Sequence, residues 1–246
     1  MARLEPGTHA LWPTVWATVT EGASPGPTAL IQAGIHGDEV AGVHALQELL
    51  EEGLRPARGK LIVIPVMNPP AYRIRERYVR GGLDLNRSFP GDAGAARYEP
   101  RLAHTFMQLV LDERPALVAT LHESKKRYDP AVVPSFGQTL VYGVDPVPAE
   151  LVDVVAALNA ACPDPAERWD TLYYPVATSS TEVIVEATGC LGVCVETWMG
   201  FDERRRIDLQ KEVVLRLLDR IGVLPWGSHD SVRLGAGRDG APAEAR

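Results

Sequence analysis

Four side chains in this sequence are of the types that hold a metal ion and move a proton beside it: His36, Glu39, His122 and Glu196. Imidazole nitrogen and carboxylate oxygen are ordinary zinc ligands, and a catalytic zinc takes three protein ligands with one position left open. His36 and Glu39 supply two ligands across the turn residues Gly37 and Asp38, and His122 supplies a third. Two histidines with one carboxylate make a hydrolytic zinc set by ligand type. The same donors also suit cobalt, nickel or iron. Glu196 is then the candidate general base for a metal-activated water. By itself His-x-x-Glu carries little weight, because most such pairs are a surface imidazole and a solvated carboxylate.

What adds weight is a shared placement. The apolar run Thr28–Ala33 ends shortly before His36, Ala116–Leu121 runs directly into His122, and Gly192–Val195 runs directly into Glu196. Open α/β sheets place their sites at the carboxyl ends of strands, so parallel neighbours would bring these tips to one rim. Further strands are expected at Lys60–Val66 and Gln138–Val144. Helices are expected at Glu39–Glu52 with Asp38 as N-cap, and at Glu99–Glu113, Pro148–Ala161, Thr181–Thr188 and Glu203–Ile221. Apolar runs alternating with amphipathic stretches predict an α/β fold of three layers, a mixed and mostly parallel sheet flanked by helices.

Composition sets the outer bounds. With 246 residues, 46% hydrophobic and 23% charged, the chain is ordinary for a globular protein. A single domain of that length buries roughly three quarters of its unfolded surface, enough for a core without staples. We expect one domain over residues 1–226 and a flexible tail over 227–246, which is rich in Gly, Ala, Arg and Asp. A net charge of −7 argues against nucleic acid or an anionic membrane as partner. No run approaches ~18 apolar residues, and the N-terminus lacks the apolar stretch of a signal peptide, so a cytoplasmic location is expected. Cys162, Cys190 and Cys194 have no zinc-finger spacing and read as buried, unreactive thiols.

Between the first and second histidines lies the densest polar segment. It contains Asn68-Pro69-Pro70-Ala71, Arg77-Tyr78 and Asp84-Leu85-Asn86-Arg87-Ser88-Phe89-Pro90-Gly91. Read in order from Gly34-Ile35-His36-Gly37-Asp38-Glu39 through this segment to Leu121-His122 and Val195-Glu196-Thr197, the set resembles the carboxypeptidase A-like zinc hydrolases. It is most similar to their succinylglutamate desuccinylase/aspartoacylase branch, over residues from about Ala29 to Thr197. Each motif is modest alone; the ordered set is specific.

The resemblance implies zinc, one per chain, on His36, Glu39 and His122. It implies Arg77 as the arginine that polarises the scissile carbonyl, Asn86 and Arg87 as the holders of a substrate carboxylate, and Glu196 as general base and acid. Those roles suit the residue types, since a fixed guanidinium can meet developing negative charge and a planar fork suits a carboxylate. Asp84 is a candidate to orient a ligand imidazole. Tyr173 or Tyr174 stands where carboxypeptidases carry a mobile tyrosine. Competing readings are Arg73, Arg75 and Arg80 for Arg77, the spacing from Asn68 favouring Arg77. Glu182 and Glu186 compete with Glu196, but both fall on a helix face where exposure is expected.

The implied function is amide hydrolysis of a small carboxylate-bearing substrate such as an N-acyl amino acid. The alternatives are removal of a C-terminal residue from a short peptide and, more remotely, a metal-binding interaction module without catalysis. Desuccinylase and aspartoacylase members carry an added C-terminal β-rich domain over the pocket, whereas only one helix and a tail follow Glu196 here.

Overall fold

The computed structural model describes residues 3–225. Eight strands form one sheet in the order β1-β2-β4-β3-β5-β8-β6-β7. The strands are β1 Gly7–Trp12, β2 Val15–Glu21, β3 Ser24–Ala33, β4 Arg58–Ile64, β5 Leu117–Ser124, β6 Thr139–Tyr142, β7 Asp170–Tyr173 and β8 Leu191–Trp198. β4, β3, β5 and β8 run parallel at the centre, while β2 and β6 join them antiparallel. The helices are α1 Ala41–Glu51, α2 Pro69–Ile74, α3 Tyr98–Glu113, α4 Ala149–Ala161, α5 Ser180–Thr188 and α6 Glu203–Arg220.

Alternation along the central strands sorts the helices into two layers. Ala29, Ile31 and Ala33 of β3, with Ala119 and Leu121 of β5, face Leu46 of α1, Leu151 of α4 and Val214 of α6. Leu30 and Val118, of opposite parity, face Phe106 of α3 and Ile184 of α5. This is the three-layer, mixed and mostly parallel α/β architecture expected. Complete burial on both faces is why the central strands read as continuous apolar runs.

Three strands and a helix were not anticipated. β1 and β2 pair as an antiparallel edge hairpin. β2 alternates buried and open positions, Val15, Ala17 and Val19 inward, but Thr and Trp between them dilute the signal. β7 has only four residues and no buried one. α2 starts at two prolines that fit a helix's first turn, capped by Asn68 Oδ1 accepting the Ala71 N–H at 3.4 Å.

The start of α1 needs correction. The helix begins at Ala41 and Asp38 does not cap it; the Ala41 N–H instead donates to Glu123 Oε2 at 2.9 Å. Residues 36–40 are held as a turn because Glu39 is drawn away to the two imidazoles. The expected tail, 227–246, lies outside the described residues. No helix among the described residues is long and apolar enough to cross a membrane.

Candidate active site

The tips of β3, β5 and β8 meet at one rim. His122 and Glu196 are register partners on the parallel pair β5–β8, so their side chains leave the same face. His36 follows β3 through Gly34, whose φ of +63° turns the chain out of the sheet. At Gly37 an added Cβ would fall 2.1 Å from the Ala71 carbonyl carbon. Only glycine lets the His36 turn pass beneath the end of α2, and there its N–H reaches the Arg77 carbonyl at 3.4 Å.

Glu39 is the centre of the site. Its Oε1 lies 2.7 Å from His36 Nδ1 and its Oε2 lies 2.7 Å from His122 Nδ1. All three residues are buried. The Glu123 N–H also donates to Glu39 Oε2, at 3.2 Å. Burial opposes charge on Glu39, but the two imidazoles outweigh it and hold its carboxyl well below the usual range. Burial also opposes a charged His36, yet Glu39 and Asp84 raise its pKa to about 9. His122 is pushed down by its burial. The shared carboxylate thus favours charge on His36, while burial disfavours it on His122.

A metal ion fits this donor set. One ligand atom from each of His36, Glu39 and His122 lies within 4.8 Å of the others, and two nitrogens with a carboxylate oxygen are zinc-type donors.

Asp84 links His36 to Arg77. Its Oδ1 sits 3.3 Å from His36 Nε2, and its Oδ2 accepts from Arg77 Nε and Nη2 at 3.1 and 2.9 Å. Arg77 Nη1 is 3.6 Å from Glu39 Oε1. The competing arginines are elsewhere: Arg75 stacks on the Tyr72 ring at 4.5 Å, and Arg73 and Arg80 are exposed. Asn86 Oδ1 accepts from the Ser180 N–H and hydroxyl, each at 2.9 Å. That anchors α5 to the Asn86 turn, with Asn86 and Arg87 both lining the cavity.

The cavity holds about 440 Å³ and is lined by His36, Glu39, Arg77, Asn86, Arg87, His122 and Glu196, but not by Asp84. Burial and then Glu39 raise the Glu196 carboxyl to about 8. Tyr174 belongs to the wall, edge-on to Phe136 at 4.9 Å, while Tyr173 is 51% exposed and leans against Tyr142, its ring tilted by 54°. The structure therefore brings Tyr174, and not Tyr173, to the site.

Two readings of the sequence change here. Cys194 stays the unreactive thiol expected, but it is not packed in the apolar core: it lies two residues before Glu196 on the same strand face, lines the cavity, and donates to Glu196 Oε1 at 3.6 Å. Burial, then Glu196, push its thiol well above its usual pKa. Glu182 also lines the cavity, although its place on a helix argued for plain exposure.

A second set of residues acts from behind the rim and had no sequence signal beyond strand parity. Glu123, pointing opposite to His122, accepts from Arg206 Nη1 of α6 as well as from Ala41. Gln210, one turn on from Arg206, donates to the His122 carbonyl at 2.9 Å and to Thr197 Oγ1.

Residues 25–131 match the family model described as the succinylglutamate desuccinylase/aspartoacylase catalytic domain. A stretch of 106 residues, 42% of the chain, is 39% identical to N-alpha-acetyl-L-2,4-diaminobutyric acid deacetylase of Halomonas elongata, where it covers 30% of that protein. Another of 82 residues, 31% of the chain, is 40% identical to succinylglutamate desuccinylase of Burkholderia pseudomallei and covers 23% of it. The chain thus matches less than a third of the length of these curated relatives.

Among solved structures, a succinylglutamate desuccinylase/aspartoacylase from Rhodobacter sphaeroides superposes with a TM-score of 0.66 at 25% identity, over 86% of this chain and 60% of that one. The product-bound cell shape determinant Csd4 of Helicobacter pylori superposes with a TM-score of 0.77 at 19% identity, over 85% and 56%. At that identity the second likeness speaks for the fold alone. The family match contains His36, Glu39, Arg77, Asp84, Asn86, Arg87 and His122, and ends before Tyr174 and Glu196.

Proposed function

Because the chain belongs to the succinylglutamate desuccinylase/aspartoacylase family through its catalytic domain, we propose that it is a zinc-dependent hydrolase of an N-acyl amino acid. His36, Glu39 and His122 would hold the zinc. The observation that carries this reading is the Glu39 carboxylate set between two imidazole Nδ1 atoms at 2.7 Å each, with Glu196 and Arg77 lining the same cavity. Zinc, when bound, lowers the pKa of a water and polarises a carbonyl.

The remaining work falls to the chain's own groups. Glu196 takes the proton of the attacking water and passes it to the leaving nitrogen; a carboxyl raised to about 8 suits a group that both accepts and returns a proton near neutrality. Arg77 faces the carbonyl oxygen as negative charge builds there, held in place by Asp84, so little reorganisation is needed at the moment of reaction. Arg87 and the Asn86 amide bind the substrate's carboxylate, and the Arg87 fork can take it with two hydrogen bonds. Tyr174 closes one wall over the leaving group. Asp84 fixes the His36 ring through Nε2, leaving Nδ1 as the donor.

Zinc-loaded protein assayed against N-acyl amino acids and short peptides tests the reading. We expect amide hydrolysis, with N-acyl amino acids ahead of peptides, and a loss of about 10²–10⁴ in kcat for Glu196→Gln without loss of bound zinc. An absence of turnover on every amide, or a Glu196→Gln protein as fast as wild type, would overturn it.

A further inference from the structure

Glu182 is a cavity carboxylate that the hydrolytic reading leaves without work. The sequence Ser179-Ser180-Thr181-Glu182 has the pattern of a capping box, in which the glutamate turns back to the cap residue's N–H. Half of the box forms, with Ser179 Oγ accepting the Glu182 N–H at 3.3 Å. The other half does not, because the Ser179 N–H donates to the Val176 carbonyl at 2.8 Å. The Glu182 carboxylate is therefore free of its own helix end.

It lies against Gly143, just past β6, where an added Cβ would fall 1.8 Å from Oε1. The absence of a side chain there is what makes the space. Among the described residues the carboxylate has no hydrogen-bond or ion-pair partner, and its other charged neighbour is Glu186, one turn along α5, also negative. An acid in a partly closed wall without a counter-charge is costly, and a ligand cation would relieve that cost.

The rest of the cavity's charge is largely spoken for. Arg77 is held by Asp84, Lys125 lies 3.6 Å from Asp38, and Glu123 is paired with Arg206, while Glu76 and Lys126, also in the lining, are exposed to solvent. Arg87 has no carboxylate partner among the described residues; its Nη1 donates only to the Asn86 carbonyl at 3.0 Å. One cavity thus offers an unpaired guanidinium and an unpaired carboxylate.

The sheet register sets their spacing. Thr139 pairs with Glu196 and Val141 with Cys194. Gly143 stands two residues further along, so it lies about 13 Å of strand from the level of Glu196. A short side chain on the substrate would leave that distance empty, whereas a long unbranched one, met by the Glu182 side chain, crosses it.

We propose that Glu182 forms a subsite for a protonated amine at the end of a long side chain, so that the hydrolase's leaving group is a diamino acid of about lysine length. This rests on the hydrolytic reading of the same site and names its substrate class.

Free lysine and free norleucine, which is lysine without the terminal amine, separate the two ideas because their binding needs no turnover. Calorimetric titration of the zinc-loaded protein is expected to favour lysine by about tenfold or more, the scale of one hydrogen bond to a charged group. In Glu182→Gln the lysine-to-norleucine ratio should fall to near one. Gly143→Ala should lower it too, since the new methyl takes the carboxylate's place. Equal binding of the two amino acids by wild type, or a preference that survives Glu182→Gln, overturns the subsite even if amides are hydrolysed. A preference abolished by Glu182→Gln in a protein that cleaves no N-acyl lysine upholds the subsite and removes the hydrolytic reading instead.

Discussion

The end of β5 sends adjacent residues to opposite faces of the sheet, and the two faces do different work. His122 enters the cavity beside Glu39, Glu196 and the rest of the candidate chemistry. Glu123 turns the other way and ties α1 and α6 to the strand, through the Ala41 N–H and Arg206. Gln210 reinforces the same grip on the His122 carbonyl. The lesson is that the turn carrying Glu39 and the backbone of His122 are held from the other side of the sheet. Changes on the cavity face should therefore abolish chemistry and spare the fold, while changes on the back face should cost stability and loosen the metal.

The sharpest break of that division is Glu123→Ala. It leaves the Arg206 charge buried without its partner, which costs about 3–5 kcal/mol and should lower Tm by roughly 10 °C in a domain of this size. Zinc affinity, read by chelator competition, should also fall by about 10–100-fold, because the Ala41 cap that sets the Glu39 turn is lost. The double variant Glu123→Leu with Arg206→Met should regain much of the Tm without regaining the affinity. Full recovery of both would show that Glu123 serves stability alone.

A smaller effect is expected at Gln210→Leu. The His122 carbonyl keeps a 3.3 Å bond from Thr197 Oγ1, so the loss should be about 1–3 kcal/mol by denaturant titration. Zinc binding should weaken by less than in Glu123→Ala.

The smallest effect tests the outer clasp between α1 and α6. Arg204 donates to Glu48 at 2.6 and 2.9 Å, and Lys211 does so at 3.1 Å. The Arg204 hydrogen bond holds the Glu48 carboxyl down, from 4.5 to about 2. A depressed carboxyl stabilises the folded state above its unfolded pKa and loses that contribution as the pH falls towards its folded value. Wild type should therefore lose stability relative to Glu48→Gln between about pH 4.5 and 2. The clasp is solvent-screened, so the difference should stay below about 1 kcal/mol and shrink in salt.

What was legible in the sequence follows the same two faces. The central strands could be read because burial on both sides leaves unbroken apolar runs, and His122 and Glu196 could be placed because each directly follows such a run. That His36 and Glu39 serve one site was legible, but the conformation of the turn between them was not, since the cap that replaces Asp38 comes from Glu123, distant in the chain. The same limit hid Arg206 and Gln210, which look like the solvated face of a charge-rich helix until α6 is laid against β5. Cys194 was misplaced because a thiol in an apolar strand gives no sign of which face it takes; its spacing of two from Glu196 was the available clue. Glu182 was misread as an exposed helix-face residue because helical periodicity does not show that the first turn of α5 is laid against the gap at Gly143, and the local bond from the Ser179 N–H to the Val176 carbonyl keeps the carboxylate off its own helix end.

The central claim is most directly tested by metal content. Protein reconstituted with zinc and freed of excess, then quantified by elemental analysis, should carry one zinc per chain in wild type and in Glu196→Gln. His36→Ala and His122→Ala should carry almost none while keeping a cooperative thermal transition. Substoichiometric zinc in wild type, or one zinc per chain retained by both histidine variants, would contradict the account.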